Sequence, residues 1–190
     1  MKTVFLAFFF FFLFVFATAD DTVLDTDGKP VINNGSQYNI LPTLRGTGGG
    51  LTLTIVGKEK CPTAVGQAPS ELSNGLPVRI SSREETEIIK IGWRVGIEFM
   101  AVPRCSPKPS LWHVPMDSDY VKIGADERLR GSFSIERASS SEDVYKFIQC
   151  PSSPFSCKDL GIEFDKEGNG RLVRVNYNPF IFRFKKATRN

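Results

Sequence analysis

The chain has 190 residues, 41% of them hydrophobic, with a formal net charge of +3 and both signs of charge interspersed along its length. That balance gives no basic footprint for nucleic acid, and the length sets one domain with a sizeable core rather than two independent ones.

Lys2 is followed by an apolar run from Val4 to Ala17, dominated by Phe, and then by Ala17-Thr18-Ala19. This reads as a secretory signal peptide over residues 1–19. The run is shorter than the roughly 20 apolar residues a bilayer span requires, so no membrane association is expected after cleavage. A mature domain of about 170 residues, 20–190, remains.

From Val23 onward, short apolar segments alternate with clusters of Gly, Pro, Asn and Asp. The pattern predicts strands at Gln37–Leu41, Leu51–Val56, Val78–Ile80, Glu87–Ile91, Gly96–Met100 and Tyr120–Ile123. Further strands are predicted at Ser132–Glu136, Val144–Gln149, Ile162–Asp165, Leu172–Tyr177 and Phe180–Phe184. Asp27-Gly28, Asn34-Gly35, Asn74-Gly75, Gly168-Asn169-Gly170 and Asn178-Pro179 punctuate them as turns. No long segment carries a helical stripe. About a dozen short strands in one domain means a β-sandwich or a β-barrel-like fold, and pattern alone does not choose between them.

Between the strands ending at Ile80 and beginning at Glu87 lies a polar run, Ser81-Ser82-Arg83-Glu84-Glu85-Thr86-Glu87. It is read as a surface loop, and it sits between Cys61 and Cys105. Four cysteines in a secreted chain favour disulfides over metal or redox chemistry. Of the three possible connectivities, the sequential one, Cys61 with Cys105 and Cys150 with Cys157, is preferred. The second pair is close in sequence and flanked by the turn formers Pro151, Ser152, Ser153 and Pro154. Asn34-Gly35-Ser36 is an N-glycosylation acceptor, or a turn Asn at positive φ.

Catalytic motifs are missing. His113 is the one histidine, without the sequence context of a nucleophile, a zinc site or a phosphate loop. Glu84, Glu85 and Glu87 crowd one loop instead of facing each other across a cleft, as glycoside hydrolysis requires. Phe180, Phe182, Phe184, Trp93 and Phe99 read as core and near-core residues.

The run Val23-Leu24-Asp25-Thr26-Asp27-Gly28-Lys29-Pro30-Val31, with Asn33, Gly35, Tyr38, Ile40 and Leu41 after it, resembles the N-terminal signature of the plant Kunitz-type (soybean trypsin inhibitor) family. The likeness continues through Gly48-Gly49-Gly50-Leu51, Cys61-Pro62, Val121-Lys122-Ile123-Gly124 and Tyr145-Lys146. It closes with Cys157-Lys158-Asp159-Leu160-Gly161-Ile162, Arg171-Leu172-Val173 and Pro179 to Lys185, covering the mature chain in order.

The resemblance implies an all-β fold, a β-trefoil of twelve short strands in three pseudo-repeats with two sequential disulfides. It implies a monomeric, non-enzymatic inhibitor of an extracellular or vacuolar protease, serine proteases first, needing no cofactor or metal. It places the substrate-like reactive loop on Ser82, Arg83, Glu84, Glu85, Thr86 and Glu87, with the scissile position at Glu85-Thr86 and Asn33 beneath the backbone. This chain departs from trypsin inhibitors of the family, which carry Arg or Lys where Glu85 stands. A register slipped by two would make Arg83 the primary residue. The alternative function is a binding, storage or defence-signalling trefoil that has lost inhibition.

Overall fold

In the computed structural model, residues 21–126, 128, 130–151 and 156–188 are described. The signal-peptide reading of residues 1–19 and the turn formers at 152–154 lie outside them. The described residues form twelve β-strands: β1 Gln37–Pro42, β2 Leu51–Thr54, β3 Ala64–Gln67, β4 Val78–Ser82, β5 Arg94–Phe99, β6 Trp112–His113, β7 Lys122–Ile123, β8 Phe133–Arg137, β9 Tyr145–Gln149, β10 Lys158–Phe164, β11 Gly170–Val175 and β12 Phe182–Lys186.

The pairing repeats every four strands. Within each group the first and fourth strands pair, as in β1–β4, β5–β8 and β9–β12. The second and third form a separate hairpin, as in β2–β3, β6–β7 and β10–β11. Pairings β4–β5, β8–β9 and β12–β1 link the groups, so six strands close into a barrel. The three hairpins meet one another through β11–β3 and β3–β7. This is a β-trefoil. Closure leaves the barrel without a free sheet edge, the usual site of unwanted strand pairing.

Alternation places one face of each barrel strand inside. On β12, Phe182 and Phe184 are buried and Arg183 between them is exposed. The barrel interior is aromatic: Phe147 stacks on Phe182 with centroids 4.2 Å apart, Phe182 meets Phe184 edge-on at 5.2 Å, and Trp112 packs against Phe99 at 5.2 Å. Phe180 is buried with them. Trp93 lies nearer the surface, with the Lys90 ammonium 5.6 Å from its ring centroid.

Two strands escaped the sequence pattern and one segment was over-read. β3 is buried at all four positions and so shows no alternation, while β6 has only two residues. Glu87–Ile91 makes isolated bridges instead of a ladder, Ile88 opposite Ile32 and Lys90 opposite Thr22. Its partner is the irregular N-terminal segment, which supplies bonds at alternate residues only. The turn readings correspond to left-handed backbone at Gly28, Asn34, Gly75, Gly168 and Asn178.

Both cysteine pairs are joined, Cys61 to Cys105 with a Cα separation of 5.9 Å and Cys150 to Cys157 with 4.1 Å. No helix among the described residues is long and apolar enough to cross a membrane.

Candidate functional site

The chain leaves β4 at Ser82 and reaches β5 at Arg94 by way of residues 83–93. Ser81 and Ser82 are still in the ladder, opposite Gly96 and Val95. From Arg83 the charges at successive positions have no apolar face to bury, and the backbone leaves the sheet. Arg83, Glu84, Glu85 and Glu87 are exposed, whereas Ser82 and Thr86 are half-buried. None of the three glutamates has a side-chain ion pair among the described residues.

A segment about 50 residues earlier holds this loop. The amide of Asn34 donates to the carbonyl of Ile80 at 2.8 Å, and that of Asn33 donates to the carbonyl of Glu87 at 2.8 Å. The two ends of the loop are thereby fixed to adjacent residues of one strand-like segment. Ile89 donates back to Val31 at 2.9 Å and extends the same pairing.

The Asn33 side chain occupies the space between. Its Oδ1 accepts from the Ser82 amide at 2.8 Å. Its Nδ2 donates to the carbonyls of Thr86 at 2.9 Å, Glu84 at 3.2 Å and Ser82 at 3.4 Å. A carboxamide is the one side-chain group short enough here that both accepts and donates two hydrogens. Aspartate would repel the three carbonyl oxygens.

Bonds inside the loop complete the frame. Thr86 N donates to the Glu84 carbonyl at 2.9 Å, making a three-residue turn with Glu85 at its apex. Glu84 N donates to Ser82 Oγ at 3.3 Å, and Ile88 N donates to Thr86 Oγ1 at 3.3 Å. At the base, Arg130 Nη1 donates to Ser81 Oγ. The arrangement is a peptide whose carbonyls are restrained from below while the side chains of Arg83, Glu84, Glu85 and Glu87 are exposed.

The other residues singled out in the sequence are not part of this site. His113 ends β6, half-buried, with Nδ1 lacking a hydrogen-bond partner. Burial holds its pKa below the ordinary histidine value, and the nearby Lys122 ammonium adds to the effect. The described residues contain no group of three or more His, Cys, Asp and Glu arranged to hold a metal ion. Asn34 is exposed, at φ 53°, immediately beside Asn33. Sequence reasoning missed the two main-chain clamps and the Arg130–Ser81 contact. Neither carries a local signal, because both join residues about 50 positions apart.

Comparison with known proteins gives the same fold and a functional class. A family model for legume Kunitz proteins, described as trypsin and protease inhibitor, matches residues 23–186. A trypsin inhibitor from Bauhinia variegata is 54% identical over 174 residues, covering 90% of this chain and 98% of its own. A trypsin inhibitor from Erythrina variegata is 37% identical, covering 86% and 97%. Among solved structures, a Kunitz type trypsin inhibitor from Cicer arietinum superposes with a TM-score of 0.77 at 33% identity, covering 88% of this chain and 99% of that one. Soybean trypsin inhibitor in complex with porcine pancreatic trypsin superposes with a TM-score of 0.76 at 31% identity, covering 88% and 100%. With the match running through both cysteine pairs, Asn33 and the whole barrel, the chain belongs to the plant Kunitz-type trypsin and protease inhibitor family.

Proposed function

We propose that this protein is a secreted, monomeric inhibitor of serine proteases that acts through the loop Ser82–Glu87, with Glu85 in the primary position and Glu85-Thr86 as the scissile bond. The observation that carries this reading is the Asn33 carboxamide. Its two shorter donor bonds go to the carbonyls of Glu84 and Thr86, one on each side of Glu85. The third, to Ser82, is the longest. With two hydrogens to share, the geometry favours the register centred on Glu85 over the one centred on Arg83.

A loop already ordered in its bound shape pays less entropy on entering a protease cleft. The same restraint keeps the two ends of a cut bond together, which favours religation over release. The solved relatives include inhibitors bound to trypsin and to human kallikrein 4. They support an active-site protease as the partner of this chain. Trypsin itself is disfavoured, because its primary pocket is acidic and a desolvated Glu85 carboxylate beside a like charge costs several kcal/mol. A protease that accepts an acidic or a polar primary residue fits the loop. An N-linked glycan on exposed Asn34 would stand next to this surface, and export through the signal peptide would supply both the glycan and the disulfides.

The test is titration of the mature protein against trypsin, chymotrypsin, subtilisin, elastase, a glutamyl-specific protease and a papain-like enzyme, with mapping of the first cut. Inhibition of a non-trypsin serine protease, with a slow single cut at Glu85-Thr86, is expected. Absence of inhibition of every enzyme at micromolar concentration overturns the reading.

A further inference from the structure

Beside the base of the Ser82–Glu87 loop, the start of β5, the end of β6, the approach to β8 and the end of β9 surround a cleft of about 370 Å³. Its rim carries Arg94, Arg128 and Arg130, and its floor carries His113, Ser132 and Gln149. Of the seven buried side-chain polar atoms without a partner among the described residues, three lie on this floor: His113 Nδ1, Ser132 Oγ and Gln149 Oε1. Buried polar groups in native proteins are almost always paired, so three orphans at one cleft point to a missing partner. Gln149 is only 5% exposed and lines the cleft, so a partner from that side reaches its Oε1 only with a small shift of the side chain.

The charges are set for an acid. Arg94 donates to the carbonyls of Cys150 at 2.9 Å and Gly131 at 3.5 Å and has no carboxylate partner. Arg128 is paired with Asp126 at 3.0 Å in an exposed ion pair, which water screens. Arg130 passes from the cleft to Ser81 across Gly96, where an added Cβ would lie 2.6 Å from Arg130 Cγ. Simple anions would satisfy the rim alone. Gln149 Oε1 is an acceptor and calls for a hydroxyl donor, and Ser132 Oγ takes either role.

We propose that this cleft binds an anionic saccharide, its acid group on the Arg94 side of the rim and its hydroxyls on the Gln149–Ser132–His113 floor. The cleft adjoins the loop, since Arg94, Arg130 and Gly131 also line a smaller depression with Ser82, Arg83 and Glu84, but the proposal does not rest on the loop being inhibitory. The acid group can come from a uronate or from a sulfate ester, and the guanidinium fork suits both.

Calorimetric titration of the intact, disulfide-bonded protein at fixed ionic strength tests it with trigalacturonic acid, a sulfated galactose trimer, neutral galactotriose and inorganic sulfate. At least one acid trimer binds, and both neutral galactotriose and inorganic sulfate bind at least tenfold more weakly. The stronger acid trimer identifies the acid group. Arg94→Gln and Gln149→Leu each weaken the acid trimer severalfold, and Arg183→Gln, on β12 and outside the cleft, does not. Gln149 is buried, so each variant's thermal melt is recorded; Arg94 is exposed and keeps the test valid if Gln149→Leu misfolds. No binding of either acid trimer at millimolar concentration leaves the floor to water and overturns the proposal. Equal binding of neutral galactotriose or of sulfate, or an equal loss in Arg183→Gln, does so as well.

Discussion

In the proposed inhibitory reading, Asn33 would hold the shape of the loop and Glu85 would set its selectivity. Asn33 makes four hydrogen bonds to loop backbone, and Asn33→Ala removes all of them without opening the core. At about 1 kcal/mol net for each well-formed bond, inhibition of the target protease should weaken by about two decades, and because the same bonds form in the free protein the melting temperature should fall by roughly 2–4 °C per kcal/mol lost. Parallel measurement of the inhibition constant, the rate of loop cleavage and the thermal melt checks this, with cleavage accelerating. Glu85→Arg reverses the charge at the apex and leaves the frame intact. Trypsin inhibition should then rise by several decades, read as the inhibition constant against trypsin before and after.

His113 gives a residue-level pH effect. In the unfolded chain its imidazole takes up a proton near the ordinary pKa of 6.5, whereas burial holds the folded value lower. Below pH 6.5 the unfolded state therefore binds more protons, and stability falls as pH falls toward the folded pKa. Denaturant midpoints across pH 7.5 to 5 should show this fall, and His113→Gln should flatten it.

At the level of elements, the loop is only as rigid as the strands and cross-links around it. β4 and β5 pair at five consecutive residues, and the Cys61–Cys105 bridge encloses both the loop and this ladder. Constraining the larger ring contributes about 4 kcal/mol and the ring closed by Cys150 and Cys157 about 2.5 kcal/mol on a loop-entropy basis. Paired Cys→Ser replacement of Cys61 and Cys105 should therefore lower the denaturant midpoint more than replacement of Cys150 and Cys157. Equal losses would show that native-state contacts, and not unfolded-state entropy, set the ranking.

For the whole molecule, the closed barrel is what lets one short N-terminal segment position a loop far away in sequence. Asp25 bridges Phe184 on β12, Leu24 N donates to Tyr145 Oη at 2.8 Å, and Ile32 N donates to Tyr38 Oη at 3.0 Å. The segment that carries Asn33 is thus fastened to β12, β9 and β1 of the barrel. Phe182 packs on Phe147, Phe180, Phe184 and Tyr145 together. Phe182→Ala should cost about 3–5 kcal/mol in chemical denaturation. The loss should appear as a single transition, because the three strand groups share that core.

Much was legible in the sequence because it is written locally. Alternation in Phe182-Arg183-Phe184 marks a barrel strand, and Asn34, Gly75 and Asn178 mark left-handed turns wherever they fall. The exposed acidic run after Ile80 marks a loop for the same reason: charged side chains cannot be buried unpaired. Periodicity failed where burial is uniform, at Ala64–Gln67, and where two residues are too few to define a period, at Trp112–His113. It over-read Glu87–Ile91, whose β-branched residues face a partner that is not a regular strand. Strand count left sandwich and barrel open, and it took the β9–β12 pairing to close the barrel. The sequence by itself determined an all-β chain with four cysteines paired in sequence and an exposed acidic loop after Ile80. The resemblance already placed Asn33 beneath the loop; only the tertiary structure decided which carbonyls it holds, those of Glu84 and Thr86, and that Arg94 and Gln149 share a cleft. Those contacts join residues about 50 positions apart in the chain, and no local preference specifies a distance across a barrel.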